Sequence, residues 1–103
     1  MKILAIEHEI PGGASEDYQR VAGDEARQVW ELVQVEKIRE IYFRRDQDRA
    51  VILLECRDIE EAQAVLATLP MVKEGLIDFE LIPLKPYPGL ARLFENDKEI
   101  GSG

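Results

Sequence analysis

The sequence predicts an α+β domain in which two helices cover one face of a four-stranded antiparallel sheet, in the chain order β-α-β-β-α-β. Three observations carry this. Four segments alternate apolar and polar residues with the period of two of a half-buried strand. Two segments between them repeat apolar residues at helical spacing. The chain has 103 residues, which is room for one core and no second domain.

The elements follow in order. KILAIEHEI (2–10) alternates Leu4, Ile6, His8, Ile10 with Ile3, Ala5, Glu7, Glu9 and stops at PGG, so it is a strand. Ser15 is a suitable N-cap, and Glu16 and Asp17 suit the positive first turn of a helix. Tyr18, Ala22, Ala26, Val29 and Val33 carry that helix to about Glu36. Trp30 falls beside the stripe and is expected in the core or at an interface. IREIYFRR (38–45) and RAVILLECR (49–57) are strands joined by DQD, residues with turn chemistry, and form a hairpin. Asp58 with Glu61 three positions on is a capping box. Ile59, Ala62, Val65, Leu66 and Leu69 are the buried stripe of the second helix, which Pro70 ends or breaks. Gly75 signals the turn into the last strand, 77–84. Residues 85–103 form an arm with three prolines nearby, at 83, 86 and 88, and with Leu90, Leu93 and Phe94 as apolar anchors. The closing EIGSG is set aside from the fold argument.

This order is the ferredoxin-like split βαβ. Composition narrows what the domain does. The net charge of −8, with dispersed Lys and Arg, disfavours nucleic acid and acidic membranes. No run reaches the roughly 18 apolar residues of a membrane span. The start MKILAIEHEIP carries carboxylates within its apolar stretch, so it does not read as a signal peptide. A single cysteine, Cys56, makes no internal disulfide and is expected to be inert in its apolar strand. The expected location is cytoplasmic. No phosphate loop, Ser-His-Asp or CxxC pattern occurs, and one histidine is poor material for a metal site, so neither cofactor nor metal is expected.

The sheet face away from the helices holds the candidate chemistry. With Ile41, Phe43, Ile52, Leu54, Phe79 and Leu81 turned to the helices, the open face carries Tyr42, Arg44, Val51, Leu53, Glu55, Asp78, Glu80 and Ile82. The first strand admits either face, and Leu4, Ile6 and His8 are assigned to the open one. So much apolar surface invites a partner, and two such faces together would enclose a pocket. The first and last strands are neighbours in this topology, so His8 approaches Asp78 and Glu80. These three are the candidate catalytic groups, His8 for its pKa near 6.5 and the carboxylates because two dehydrated together drive one pKa upward. Ile6, Tyr42, Arg44, Leu53 and Glu55 are candidate substrate-binding residues. For Arg44 and Glu55 the plainer role is an ion pair across the hairpin, for Tyr42 packing, and for Asp78 and Glu80 a solvated edge.

The runs LATLPMVKEGLIDFELIPLKPYPG (66–89) and LVQVEKIREIYFRRDQDRAVILLECRDIEEA (32–62) resemble the muconolactone isomerase-like family, through the Leu69-Pro70 pair and the IDFE strand in particular. The similarity covers most of residues 22–88. It departs from the family in the arm and at Glu36–Lys37, where a glycine is expected. The resemblance implies a ferredoxin-like fold pairing into a dimeric α+β barrel, an arm crossing to a neighbouring subunit, and cofactor-free proton transfer that isomerises a lactone. The expected function is therefore a small cofactor-free isomerase for a hydrophobic, oxygen-bearing molecule, working as a homodimer or larger assembly. The alternatives are a non-catalytic ligand-binding or assembly module and a cofactor-independent monooxygenase of the same fold.

Overall fold

The computed structural model describes residues 1–95. Its elements are β1 (Lys2–Glu9), α1 (Ser15–Gln34), β2 (Ile38–Phe43), β3 (Ala50–Glu55), α2 (Ile59–Leu66), α3 (Pro70–Lys73) and β4 (Ile77–Pro83). The four strands form one antiparallel sheet in the order β2-β3-β1-β4, the arrangement expected of the ferredoxin-like fold. Among the described residues no helix is long and apolar enough to cross a membrane.

Alternation along the strands decides which face is buried. Ile3, Ala5, Ile52 and Leu54 are buried with Leu32, Ala62 and Leu66 from the helices and Leu69 between α2 and α3, while Ile77 is buried in a second cluster with Val21 and Leu76. Ile41, Phe79 and Leu81 are partly buried against the first of these clusters. The opposite face carries Leu4, Ile6, His8, Val51, Leu53, Asp78, Glu80 and Ile82, which settles the ambiguous first strand as assigned. Leu4 and Ile6 are only half-covered. Two transverse rows cross this open face: Tyr42–Val51–Ile6–Glu80 and Glu40–Leu53–Leu4–Ile82.

Several local expectations are corrected. The N-cap of α1 is Ala14, and Ser15 is already helical; the cap is made by Asp17, whose carboxylate accepts the Ala14 N–H at 3.1 Å. The helix ends at Gln34, short of Glu36, because Glu36 has φ 64°, the left-handed conformation that terminates helices and is normally taken by glycine. The family-like glycine is thus absent where its conformation is still required. At α2 only half of the capping box forms. Asp58 accepts the Glu61 N–H at 2.8 Å, while the Glu61 carboxylate turns to Lys37 and Arg57. Pro70 does more than end α2: it starts α3, at a position where its missing N–H costs nothing. Trp30 is 60% exposed in the single chain, so of its two expected places, core or interface, the core is excluded. The arm is more regular than expected, with a 3₁₀ turn at Pro88–Leu90 running into helical residues 91–95; the end of the arm, from residue 96, lies outside the described residues.

Candidate functional site

A cavity of about 380 Å³, open to solvent past the exposed Ala22 and Ala26, lies between α1 and the sheet. It exists because the residues that would fill it are small: Ala22 and Ala26 on α1 and Ala50 on β3 line it. Val29, Ile41, Ile52, Met71 and Phe79 supply an apolar wall, and Phe43, 66% exposed at the end of β2, stands at its edge. Two carboxylates enter this wall, Glu7 from β1 and Glu25 from α1.

Each carboxylate is held by a backbone amide. Glu7 projects to the helix side because it shares the face of Ile3 and Ala5, and its Oε1 accepts the Ala50 N–H at 3.2 Å. Glu25 reaches α3. Leu69, the N-cap of that helix, has no side-chain acceptor and Pro70 has no N–H, so Glu25 Oε1 accepts the Met71 N–H at 2.9 Å and serves as a cap from another element. Among the described residues neither Oε2 forms a hydrogen bond, which leaves one oxygen of each carboxylate for a ligand.

The surroundings raise both proton affinities. Burial pushes Glu7 above the usual carboxylate range; the Ala50 N–H and Arg49 oppose this, and the charges of Glu25 and Glu9 add to it. Burial also raises Glu25, against the Met71 N–H. Two carboxyls with raised proton affinities in an apolar groove are a chemically suitable pair for holding and transferring a proton.

The residues singled out from sequence lie on the other side of the sheet. His8 stands directly opposite Asp78 across the β1–β4 pair, and Ile6 opposite Glu80, so the expected neighbours are brought together. All three polar groups are exposed in the single chain. Asp78 Oδ1 accepts the Phe79 N–H at 2.9 Å. Ile6 and Leu53 are half-buried on the same face, and Tyr42, 62% exposed, donates its hydroxyl to Glu40 at 2.8 Å. That bond raises the Tyr42 pKa.

Arg44 and Glu55 do not form the expected ion pair. The antiparallel register puts Arg44 at the hairpin end, with its N–H on the Arg49 carbonyl, and Glu55 at the far end of β3, opposite Lys2. Arg44 instead forks onto Asp46 at 3.0 and 2.7 Å. Glu55 pairs with Lys2 at 3.2 Å and with the Met1 amine at 2.7 Å, and these contacts hold its carboxyl below the usual range. Cys56 is buried and burial pushes its thiol up, as expected of an inert cysteine.

Glu7 and Glu25 were not among the residues the sequence pointed to. A signal existed for each. Once His8 is assigned to the open face, Glu7 must face the helices. Glu25 sits seven residues after Tyr18 and seven before Leu32, on the buried stripe of α1.

No family model and no curated protein matches the chain. A solved structure does: 5-chloro-2-hydroxyhydroquinone dehydrochlorinase (TftG) from Burkholderia phenoliruptrix AC1100, in complex with 2,5-dihydroxybenzoquinone. The two superpose with a TM-score of 0.67 at 16% identity, over 82% of this chain and 94% of that one. An identity this low speaks to architecture alone, and the two chains share the ferredoxin-like fold.

Proposed function

We propose that this protein is a small cofactor-free enzyme that moves a proton on a compact, hydrophobic, oxygen-bearing substrate, with Glu7 and Glu25 as its acid–base pair. The observation that carries the reading is the placement of two amide-anchored carboxylates in one apolar cavity. In the proposed step the ionised carboxylate takes a proton from the substrate and the protonated one returns a proton elsewhere on it, so the substrate is isomerised with no net change in protons. A structural neighbour whose name is that of a dehydrochlorinase of a small hydroxylated ring supports small-molecule chemistry on this fold.

The reading has a test that needs no substrate. Carboxyl-carbon NMR of labelled glutamate is expected to find Glu7 or Glu25 titrating above the ordinary 4.5. Both titrating at or below that value would leave a cavity without a usable acid, and a ligand-binding module would become the better reading. Once a substrate is found, Glu7→Gln or Glu25→Gln should lower the rate by roughly 10²–10⁴. Glutamine keeps the carbonyl acceptor for the backbone amide, so the loss would report proton transfer rather than folding.

A second reading has its own observation in its favour. The register sets His8 against Asp78 on a face whose centre is Leu4, Ile6, Val51 and Leu53. A second copy laid on this face would bury His8, Asp78 and Glu80 together, in the barrel-like pairing that the family resemblance implies. The arm favours such assembly, since Leu84, Tyr87, Leu90, Leu93 and Phe94 are exposed apolar residues on it. Sedimentation of a chain cut after Pro83 should show weakened association; an unchanged assembly would remove the arm from the proposal. His8 titrated by NMR in the parent and in an Asp78→Asn, Glu80→Gln variant tests the open-face site, which fails if the two pKa values agree.

A further inference from the structure

The charged groups that line the cavity between α1 and the sheet are Glu7 and Glu25, with no lysine, arginine or histidine in the wall. The wall's anchoring amides are also committed, because the Ala50 and Met71 N–H groups are each taken by one of these carboxylates. In the state that the proposed proton transfer uses, a ligand entering here meets one ionised carboxylate, one protonated carboxyl and apolar surface, so the wall offers it a single O–H donor. We infer that the cavity selects uncharged hydroxyl-bearing ring compounds and rejects carboxylates, which deepens the proposed function above and rests on the same site.

Three classes of ligand can be compared. A carboxylate would face an ionised group of its own sign, with the O–H of the protonated partner as the one donor in the wall to replace its lost water, a juxtaposition that weakens binding. An ammonium is attracted by charge but brings three N–H donors. Only the ionised carboxylate matches its charge, so an ammonium keeps N–H donors that the apolar wall does not take. A neutral ring with two hydroxyls can donate one to the ionised carboxylate and accept with the other from the protonated carboxyl, and its faces match Val29, Ile52 and Phe79. The size agrees, since about 380 Å³ lies at the small end of the range for ligand pockets, roughly 300–1,000 Å³.

The experiment uses resorcinol, benzoate and benzylamine as probes: one ring size and three charge states. Backbone amide NMR of the parent at pH 7 follows Ala50 and Met71. Resorcinol is expected to shift both amides saturably, and benzoate to bind at least about tenfold more weakly. In the Glu7→Gln, Glu25→Gln double variant the charge is gone and, with the carbonyl still on the backbone amide, each open oxygen becomes an NH2 donor, so the preference against benzoate should shrink or reverse, while resorcinol, whose hydroxyls also accept, still binds. Benzoate or benzylamine binding the parent at these amides as tightly as resorcinol would overturn the selectivity and leave the cavity as the site. If none of the three probes shifts Ala50 or Met71, the cavity is not a ligand site, and the function proposed for it falls as well.

Discussion

The two faces of this sheet use the same residue types to opposite ends. On β1, Glu7 and His8 are adjacent in sequence and point to opposite faces. Glu7 enters an apolar cavity where burial raises its proton affinity, while His8 lies exposed beside Asp78. In the single chain the environment, and not the side chain, sets which carboxylate is chemically unusual. The covered face holds its acids by backbone amides from other elements, whereas the open face holds its apolar rows ready for a second surface.

Neighbouring residues on β3 offer the sharpest way to break this comparison. Ile52 is 1% exposed and sits in the core, while Leu53 beside it is half-buried on the open face. Ile52→Lys places an unpaired charge in the core and should destabilise by more than about 4 kcal/mol, enough to leave no cooperative thermal transition. Leu53→Lys should keep the fold, read by circular dichroism, and lose self-association, read by sedimentation. A Leu53→Lys protein that still associates would mean that the open face is not the contact surface.

Smaller effects come from protons. Glu7 and Glu25 have folded pKa values raised above their unfolded ones. Their contribution to stability is therefore fully present below the unfolded pKa and is lost as pH rises through the folded values. Glu61 has the opposite sign. Its hydrogen bonds to Lys37 and then Arg57 lower it from 4.5 to about 2, so its contribution is present above the unfolded pKa and fades as pH falls towards 2. Chemical denaturation of Glu25→Gln across pH 3 to 8 should show a flatter loss of stability than the parent as pH rises above 4.5, and an unchanged loss below it. A loss through that window identical to the parent's would mean that Glu25 is solvated, and the contrast between the faces would lose half its basis.

The fold was legible because periodicity reports faces directly: the alternation in IREIYF, AVILLE and IDFELI assigns three of the four strands, β1 alone reading both ways, and the Asp58 cap marks α2 correctly. The same alternation put His8 opposite Asp78 once the strand order was known. The cavity was not legible for a different physical reason. A pattern says which way Glu7 and Glu25 point, but not how much solvent reaches them. That depends on the gap left under α1 by Ala22, Ala26 and Ala50, and alanines read equally well as tight packing. The Arg44–Glu55 pairing failed similarly, because a hairpin's register separates residues that share a face. Arg44, at the turn, finds Asp46 two residues away.

Glu36 gives the smallest expected effect and a control for the rest. It lies at the joint where α1 passes into β2, away from the cavity wall and the open face, with φ 64°. For a residue with a Cβ this conformation costs roughly 1–2 kcal/mol, and glycine escapes the cost. Glycine also loses more freedom on folding, which offsets part of the gain. The one contact sacrificed is an ion pair with Arg39 at 3.9 Å between exposed side chains, and such pairs contribute little. Glu36→Gly should therefore raise stability by about 0.5–1 kcal/mol, measured by urea denaturation with an unchanged m value. The titrations of Glu7, Glu25 and His8 should stay where they are in the parent. If relieving this joint moves the Glu7 or Glu25 titration, the seating of α1 over the sheet governs the cavity, and the acidity of its carboxyls belongs to the helix's position as much as to their own burial.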